Sequence, residues 1–168
     1  SGPYTDNVSS TKVTYTDTLS KSSTPLTFFC VNCRSVKNKS LSIADMITSN
    51  DIDILAITET WLGSEVDCQV LSELVPTGYS ILHIPRIGAR GGGVAVVHKA
   101  GLGISRTSVS ADDVFTHFEH IECSVKQDGQ QFILCVIYRP PPSRKNGFKN
   151  DVFFTEWSTY LGHLALNP

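Results

Sequence analysis

The chain has 168 residues and a formal net charge of −2, which suits one domain and gives no overall field that would attract nucleic acid or acidic membranes. It contains no secretory signal pattern and no run of roughly 18 apolar residues, so neither secretion nor membrane spanning is indicated. Its five cysteines form an odd count without the spacing of a disulfide framework, which favours free thiols in a reducing compartment.

The first 25 residues are dominated by polar side chains and lack helical periodicity. We therefore expect residues 1–25 to form a flexible polar N-terminal arm, within which Val13 and Tyr15 allow one short strand. Order is expected from residue 26 onward, because a β-branched and aromatic run predicts a strand over 26–33.

A strand–helix–strand unit follows. Ser42 and Asp45 have the spacing of a capping box, residues 43–47 have helical apolar spacing, and Asn50 marks the end of the helix. A nearly continuous apolar strand over 52–58 comes directly afterwards. A helix joining an amphipathic strand to a fully apolar one predicts two parallel neighbours in a sheet.

Apolar periodicity and turn residues predict the remaining elements. They are a helical turn over 65–74, strands over 79–84, 93–98, 118–125 and 131–138, and a helix over 151–166. Asp128 and Gly129 separate the last two strands and predict a tight hairpin, because glycine supplies the positive φ that such a turn needs. The predicted fold class is α/β, with one mixed sheet and flanking helices.

Three polar side chains are expected to meet at one edge of the sheet. Glu59 ends the buried strand, Asn32 lies in a comparable place on the first strand, and Tyr138 ends the last one. A carboxylate at the end of an inner strand can ligate Mg²⁺, and it can equally cap a helix or form a surface salt bridge. Asn32 and Tyr138 are compatible with bracing that carboxylate and with ordinary structural hydrogen bonds.

A glycine-rich segment follows Arg86 and includes Arg90. Its glycines match neither the P-loop, which needs Gly-Lys-Ser/Thr, nor the Gly-x-Gly-x-x-Gly motif that opens a helix. They therefore serve either to expose backbone amides to a phosphate or to permit a tight bend into the next strand. Both arginines are candidate contacts for phosphate or the DNA backbone.

Four segments carry a family resemblance when they are taken together. They are residues 31–36 (Val-Asn-Cys-Arg-Ser-Val) with Lys39, 53–62 (Asp-Ile-Leu-Ala-Ile-Thr-Glu-Thr-Trp-Leu), 90–96 (Arg-Gly-Gly-Gly-Val-Ala-Val) and 137–141 (Ile-Tyr-Arg-Pro-Pro). In order and spacing, over residues 26–166, they resemble the endonuclease/exonuclease/phosphatase family. The resemblance is strongest to the apurinic-endonuclease-like domains of LINE-type (non-long-terminal-repeat) retrotransposons.

The resemblance implies a face-to-face sandwich of two sheets and metal-assisted hydrolysis of a DNA phosphodiester. Glu59 would ligate Mg²⁺, with Mn²⁺ as a possible substitute. Asn32 would orient the metal site and the scissile phosphate, and Tyr138 would donate a hydrogen bond to a phosphate oxygen. The basic side chains expected to contact phosphate or DNA are Arg34, Arg86, Arg90 and Arg139.

The family's later Gly-Asp-x-Asn and Ser-Asp-His motifs do not occur in the 168 residues. Residues 26–168 are therefore expected to be the N-terminal half of such a domain, inactive by itself. Half a sandwich would leave an apolar sheet face uncovered, to be covered by the missing half, a second copy or a protein partner. The alternative is a non-catalytic binding module of transposon origin. No membrane partner is expected, and the location would be nuclear or cytoplasmic.

Overall fold

A computed structural model describes residues 10–15, 25–63, 68–86, 91–107, 115–143 and 147–166. The strands in this part of the chain are β1 (Ser10–Tyr15), β2 (Leu26–Asn32), β3 (Ile54–Thr58), β4 (Tyr79–Ile84), β5 (Val94–Lys99), β6 (Gly103–Arg106), β7 (Glu119–Gln127) and β8 (Gln130–Tyr138). The helices are α1 (Ser40–Ser49), α2 (Cys68–Leu74) and α3 (Asn150–Leu166). None of these three helices has the length and apolar character needed to span a bilayer.

The strands form two sheets. The first has five strands in the order β1-β2-β3-β5-β4, and the second has three in the order β6-β7-β8. β2 and β3 are parallel, as the strand–helix–strand pattern predicts. The α/β class is confirmed, but the expectation of a single mixed sheet needs correction. The β7–β8 hairpin packs its alternating apolar side chains against the face of the first sheet and does not pair with its edge.

Two apolar layers cover the two faces of the first sheet. The layer between the sheets is a cluster of buried residues, namely Leu26, Ile54, Ala56, Val94, Val96, Ile121, Cys123, Val125 and Val136. On the opposite face, Ile43 and Ile47 of α1 and Leu74 of α2 join Leu55 and Ile57 of β3 in a second core. Both faces of β3 are therefore covered from within the chain.

Helix α1 begins two residues before the predicted capping box. Ser40 is the first helical residue and is buried, and no side-chain hydrogen bond caps the helix, so the prediction of a Ser42–Asp45 box is wrong. The Ser40 hydroxyl donates instead to Glu73 Oε2 at 2.6 Å, which joins α1 to α2. The predicted end is confirmed, because Asn50 occupies the C-cap and its side chain donates to the Met46 carbonyl at 2.9 Å.

The N-terminal arm contains a strand in the structure. β1 pairs antiparallel with β2, from Ser10 opposite Val31 to Tyr15 opposite Leu26, so the short strand allowed at Val13 and Tyr15 is present and begins at Ser10. The edge of β2 offers backbone groups with which such a segment can pair. Residues 1–9 and 16–24 lie outside the described part of the chain.

The C-terminal hairpin and helix follow their predictions. Asp128 and Gly129 have φ values of 50° and 79° and connect β7 to β8. Helix α3 packs on the second sheet through Tyr160, which is 1% exposed and lies edge-on to the rings of Phe118 and His120. This aromatic contact buries part of the outer face of the second sheet.

Gly93 provides a test of how tightly the loops at the sheet edge are packed. Its φ is +85°, and a Cβ would lie 2.5 Å from Thr60 Oγ1, so Gly93→Ala is expected to lower the free energy of unfolding by roughly 1–3 kcal/mol. Gly101→Ala is the matched control, because a Cβ there meets no atom within 4 Å, and we expect a change within about 0.5 kcal/mol. Urea unfolding of both variants measures the difference, and equal stabilities would contradict this packing.

Candidate metal and phosphate site

The loops that follow β2 and β3 run side by side. Because the two strands are parallel, with Asn32 opposite Thr58, their C-terminal ends reach the same edge of the sheet. Backbone pairing continues beyond the strands, since the Ser35 amide donates to the Glu59 carbonyl at 2.8 Å and the Val36 amide donates to the Thr60 carbonyl at 3.0 Å. The positions of these loops are thus set by the strand ladder.

The glycine-rich segment holds the other side of the loop after β3. The amides of Thr60 and Trp61 donate to the carbonyls of Gly93 and Gly92, at 3.2 and 2.8 Å. Glu59 and Trp61 have φ values of 54° and 55°, a left-handed conformation that is uncommon for residues other than glycine.

Asn32, Glu59 and Tyr138 meet through one carboxylate oxygen. Asn32 Nδ2 and the Tyr138 hydroxyl each donate to Glu59 Oε1 at 2.9 Å. Asn32 Oδ1 in turn accepts a hydrogen bond from the Arg34 amide at 3.3 Å, which fixes the orientation of the Asn32 amide. No described residue donates to Glu59 Oε2, so the carboxylate is oriented through one oxygen and has the other available.

The environment of Tyr138 keeps its hydroxyl protonated. Burial raises the pKa of Tyr138 to about 12, and the hydrogen bond to the Glu59 carboxylate acts in the same direction. The guanidinium of Arg86 lies 5.9 Å from the centre of the Tyr138 ring and favours the ionised form to a smaller extent. At neutral pH Tyr138 is therefore a hydrogen-bond donor.

Arg86 is not free to bind a phosphate, because it is paired with an acidic side chain. Its Nε forms an ion pair with Glu119 Oε1, while Glu119 Oε2 accepts a hydrogen bond from the Gly93 amide at 2.5 Å. A Cβ on Gly92 would overlap the Arg86 guanidinium, so the glycine makes room for this ion pair. Nothing in the local sequence identifies Glu119 as part of the site, because it lies near the start of a predicted strand and has no partner nearby in the sequence.

The other three arginines have different positions. Arg34 is exposed on the loop after β2, next to the hydrogen-bonded group of Asn32, Glu59 and Tyr138, which we call the Glu59 corner. Arg139 packs its guanidinium 3.9 Å above the Phe153 ring and donates to Asn150 Oδ1, so it secures the beginning of α3. Arg90 falls within residues 87–90, which lie outside the described part of the chain. Among the three described arginines, Arg86 and Arg139 are engaged with other residues, and Arg34 is exposed and accessible to a ligand.

The donor set fits a metal that needs few protein ligands. Within the described ranges, no group of three His, Cys, Asp or Glu side chains is arranged to hold a metal ion. Mg²⁺ typically uses one or two carboxylates, and waters and substrate phosphates complete its shell. Glu59 Oε2, on a carboxylate already oriented by two donors, is compatible with that mode of binding and does not fit a fully protein-ligated ion such as structural zinc.

The fold and this corner define a class of protein, an α/β sandwich in which a carboxylate, an amide and a phenol meet at the end of an inner strand. Residues 30–154 match the Endonuclease/Exonuclease/phosphatase family, and the chain belongs to that family.

Two further comparisons complete this result. No curated protein matches the chain. Among solved structures, it is similar to the crystal structure of the AP endonuclease LMAP from Leishmania major, with a TM-score of 0.52 and 20% sequence identity. That similarity covers 66% of this chain and 39% of the Leishmania protein, so the chain spans well under half of that structure's length. At this identity the likeness supports the fold.

The titration of Tyr138 tests its bond to Glu59. The folded protein holds the phenolic proton more tightly than the unfolded chain, so Tyr138 contributes stability that is complete below pH about 10 and is lost as the pH rises through about 12. Replacing the anion by Glu59→Gln is expected to lower the pKa of Tyr138, although burial, the larger cause, still holds it above the ordinary value.

Ultraviolet titration measures this pKa as the difference between each protein and its Tyr138→Phe counterpart, which removes the signals of the other four tyrosines. An identical Tyr138 titration with and without the Glu59 carboxylate would show that the two groups do not interact.

Proposed function

We propose that the Glu59 corner is the metal-binding and phosphate-orienting part of a nuclease-type hydrolase site, of the kind found in retrotransposon endonucleases, whose substrate is a DNA phosphodiester. The observation that carries the proposal is that two side chains donate hydrogen bonds to the same oxygen of the Glu59 carboxylate. Asn32 and Tyr138 both donate to Glu59 Oε1 at 2.9 Å, which orients the carboxylate and leaves Oε2 for a divalent cation. Mg²⁺ is the expected ion, with Mn²⁺ as a substitute.

Each residue has one task in this proposal. Glu59 holds the cation, which when bound polarises a phosphoryl oxygen and lowers the pKa of an attacking water. Asn32 keeps the carboxylate in one orientation through two hydrogen bonds, one donated to Glu59 and one accepted from the Arg34 amide. Tyr138 remains protonated and donates, and Arg34 supplies a positive charge beside the phosphate.

The proposal includes inactivity of this chain on its own. Hydrolysis also needs a group that takes a proton from water, and no described histidine is hydrogen-bonded to Glu59. His98 lies opposite Ile54, at the far end of β3, and its Nδ1 contacts the Lys99 carbonyl. His117 is paired with Glu156. The missing motifs and the 39% coverage of the Leishmania structure support a site completed by residues outside this sequence.

An intracellular location is part of the same proposal, because all five cysteines are free. Burial raises the pKa of Cys33 and of Cys123 to about 11, which keeps these thiols protonated and unreactive.

Metal binding tests the role of Glu59. Glu59→Gln keeps the size of the side chain and removes its charge, so Mn²⁺ binding measured by electron paramagnetic resonance is expected to be lost. Asn32→Ala and Tyr138→Phe remove the orienting donors and are expected to weaken binding roughly 10–100-fold. Asp45→Asn is the matched control, since Asp45 is an exposed carboxylate on α1 away from the sheet edge. Unchanged Mn²⁺ affinity in Glu59→Gln would rule out the proposed metal site.

Plasmid nicking separates binding from catalysis. Purified chain with Mg²⁺ is expected to leave supercoiled plasmid intact. Nicking by the unaltered chain that disappears in Glu59→Ala would show that this chain contains a complete site, and the inactivity part of the proposal would then be wrong.

A non-catalytic binding module is the second candidate, and a groove favours it. β8 pairs only with β7 among the described strands, and an apolar groove of about 420 Å³ lies between it and the first sheet. Phe28 and Cys30 of β2 line one side, and Leu134 and Ile137 of β8 line the other. An uncharged strand edge that no other described strand pairs with, beside an apolar groove, is a typical surface for strand addition by a second copy or a protein partner.

Sedimentation tests this surface. The purified chain is expected to self-associate at micromolar concentration. Ile137→Lys places a charge in the groove and is expected to weaken the association, whereas Leu41→Lys, at a 64% exposed position on α1, is expected to leave it unchanged. A cooperatively folded monomer at all concentrations would exclude self-association through the groove.

A further inference from the structure

Glu119 is an acidic residue at the end of an apolar stripe on β7. The stripe consists of Ile121, Cys123 and Val125, which belong to the core between the two sheets. Because side chains alternate along a strand, Glu119 lies on the same inner face. Its side chain is only 17% exposed, and a carboxylate in such a position must be paired. The partners that it has belong to the surroundings of Glu59.

Each oxygen of the Glu119 carboxylate contacts a different segment of the chain. Oε1 is paired with Nε of Arg86, just after β4, and Oε2 accepts a hydrogen bond at 2.5 Å from the amide of Gly93, just before β5. The Gly93 carbonyl in turn accepts a hydrogen bond at 3.2 Å from the amide of Thr60, the residue that follows Glu59. The backbone that fixes the Glu119 carboxylate is therefore the backbone that pairs with the loop after β3.

Tyr138 lies directly beside this ion pair. β7 and β8 are antiparallel with Glu119 opposite Tyr138, so the two side chains are neighbours on the same face of the second sheet. The Arg86 guanidinium lies over the Tyr138 ring, 5.9 Å from its centre, which is within the range of a cation–π contact. The guanidinium that Glu119 binds is therefore in contact with the phenol that donates to Glu59.

We propose that Glu119 is a positioning residue of the Glu59 corner, which holds Arg86 over the Tyr138 ring and so keeps the Tyr138 hydroxyl on Glu59 Oε1. This role rests on the proposed function, because it adds a residue to the same site. Glu119 is not a ligand of the cation in this arrangement, since both of its oxygens are already engaged. Its effect reaches the cation through Arg86 and Tyr138.

Crystal structures of the metal-free protein test this role independently of any cation. Glu119→Gln keeps the size of the side chain and removes its charge, so Arg86 loses its ion pair. In this variant the Tyr138 hydroxyl is expected to lie more than about 3.5 Å from the Glu59 carboxylate, beyond hydrogen-bond distance. Glu122→Gln is the matched control, because Glu122 is on the same strand with its side chain on the opposite face, and it is expected to keep the bond. A Tyr138–Glu59 bond that stays at 2.9 Å in Glu119→Gln would overturn the proposal.

Mn²⁺ binding, measured by electron paramagnetic resonance, shows whether the effect passes through Tyr138. Glu119→Gln is expected to weaken Mn²⁺ binding roughly 10-fold, and Glu122→Gln is expected to leave it unchanged. In a Tyr138→Phe background, Glu119→Gln is expected to cause no further loss, because the hydroxyl through which it acts is absent. Equal losses in the two backgrounds would show that Glu119 supports the site only through the Gly93 backbone, and the proposed role would be wrong.

A double variant covers the case in which Glu119→Gln does not fold, since that substitution leaves the Arg86 charge without its partner. Arg86→Met combined with Glu119→Gln removes both charges at nearly the same side-chain length, and circular dichroism verifies its fold. It is expected to weaken Mn²⁺ binding by the same factor. Arg86→Lys alone keeps a positive charge beside the ring and is expected to bind Mn²⁺ more tightly than the double variant. Unchanged Mn²⁺ affinity in the double variant would overturn the proposal.

The two proposals fail in different ways. Mn²⁺ binding that is lost in Glu59→Gln and unchanged in Glu119→Gln would overturn the positioning role alone. Mn²⁺ binding that does not depend on Glu59, together with a Tyr138–Glu59 bond that is lost in Glu119→Gln, would overturn the metal site and leave Glu119 as the residue that orients Tyr138.

Discussion

The burial of β3 on both faces is the constraint on which the rest of the structure depends. All five residues of Ile54–Thr58 are buried, with Ile54 and Ala56 in the core between the sheets and Leu55 and Ile57 in the core beneath the helices. Each fully buried aliphatic side chain contributes roughly 1.5–3 kcal/mol, and both edges of the strand are paired. Glu59 follows directly, so its position is fixed by the layers that hold β3.

The geometry beyond the strand end depends on backbone conformations that are costly in isolation. Arg34, Glu59 and Trp61 all have left-handed φ values, each of which costs of order 1–3 kcal/mol for a non-glycine residue. The amides of Ser35, Val36, Thr60 and Trp61 pair with carbonyls of neighbouring loops at 2.8–3.2 Å, and these bonds offset the cost. Four of the six non-glycine residues with positive φ in the described part of the chain lie at this corner, namely Arg34, Ser35, Glu59 and Trp61, and the other two are Asp51 and Asp128.

Local patterns were sufficient for part of this structure. The parallel pairing of β2 and β3, the Asp128-Gly129 hairpin and α3 follow from periodicity and turn chemistry, and the convergence of Asn32, Glu59 and Tyr138 follows from strand direction. The sequence could not reveal features that depend on distant partners. Ser40, the first residue of α1, donates a hydrogen bond to Glu73 of α2, and Arg86 pairs with Glu119, which lies 33 positions further along the chain. The second sheet was missed for the same reason, since a hairpin's pattern does not say whether it will join an edge or cover a face.

The two described arginines nearest to Glu59 in the strand-end loops differ in whether their charge is balanced. If a phosphate binds at Glu59 as proposed, the exposed guanidinium of Arg34 would supply positive charge beside it. Arg86 is unsuited to this task, because Glu119 already balances its charge and the Gly93 amide holds the other oxygen of the same carboxylate. The Arg86–Glu119 pair instead holds the glycine-rich segment at Gly93. Arg86 therefore secures the loop, whereas Arg34 remains exposed.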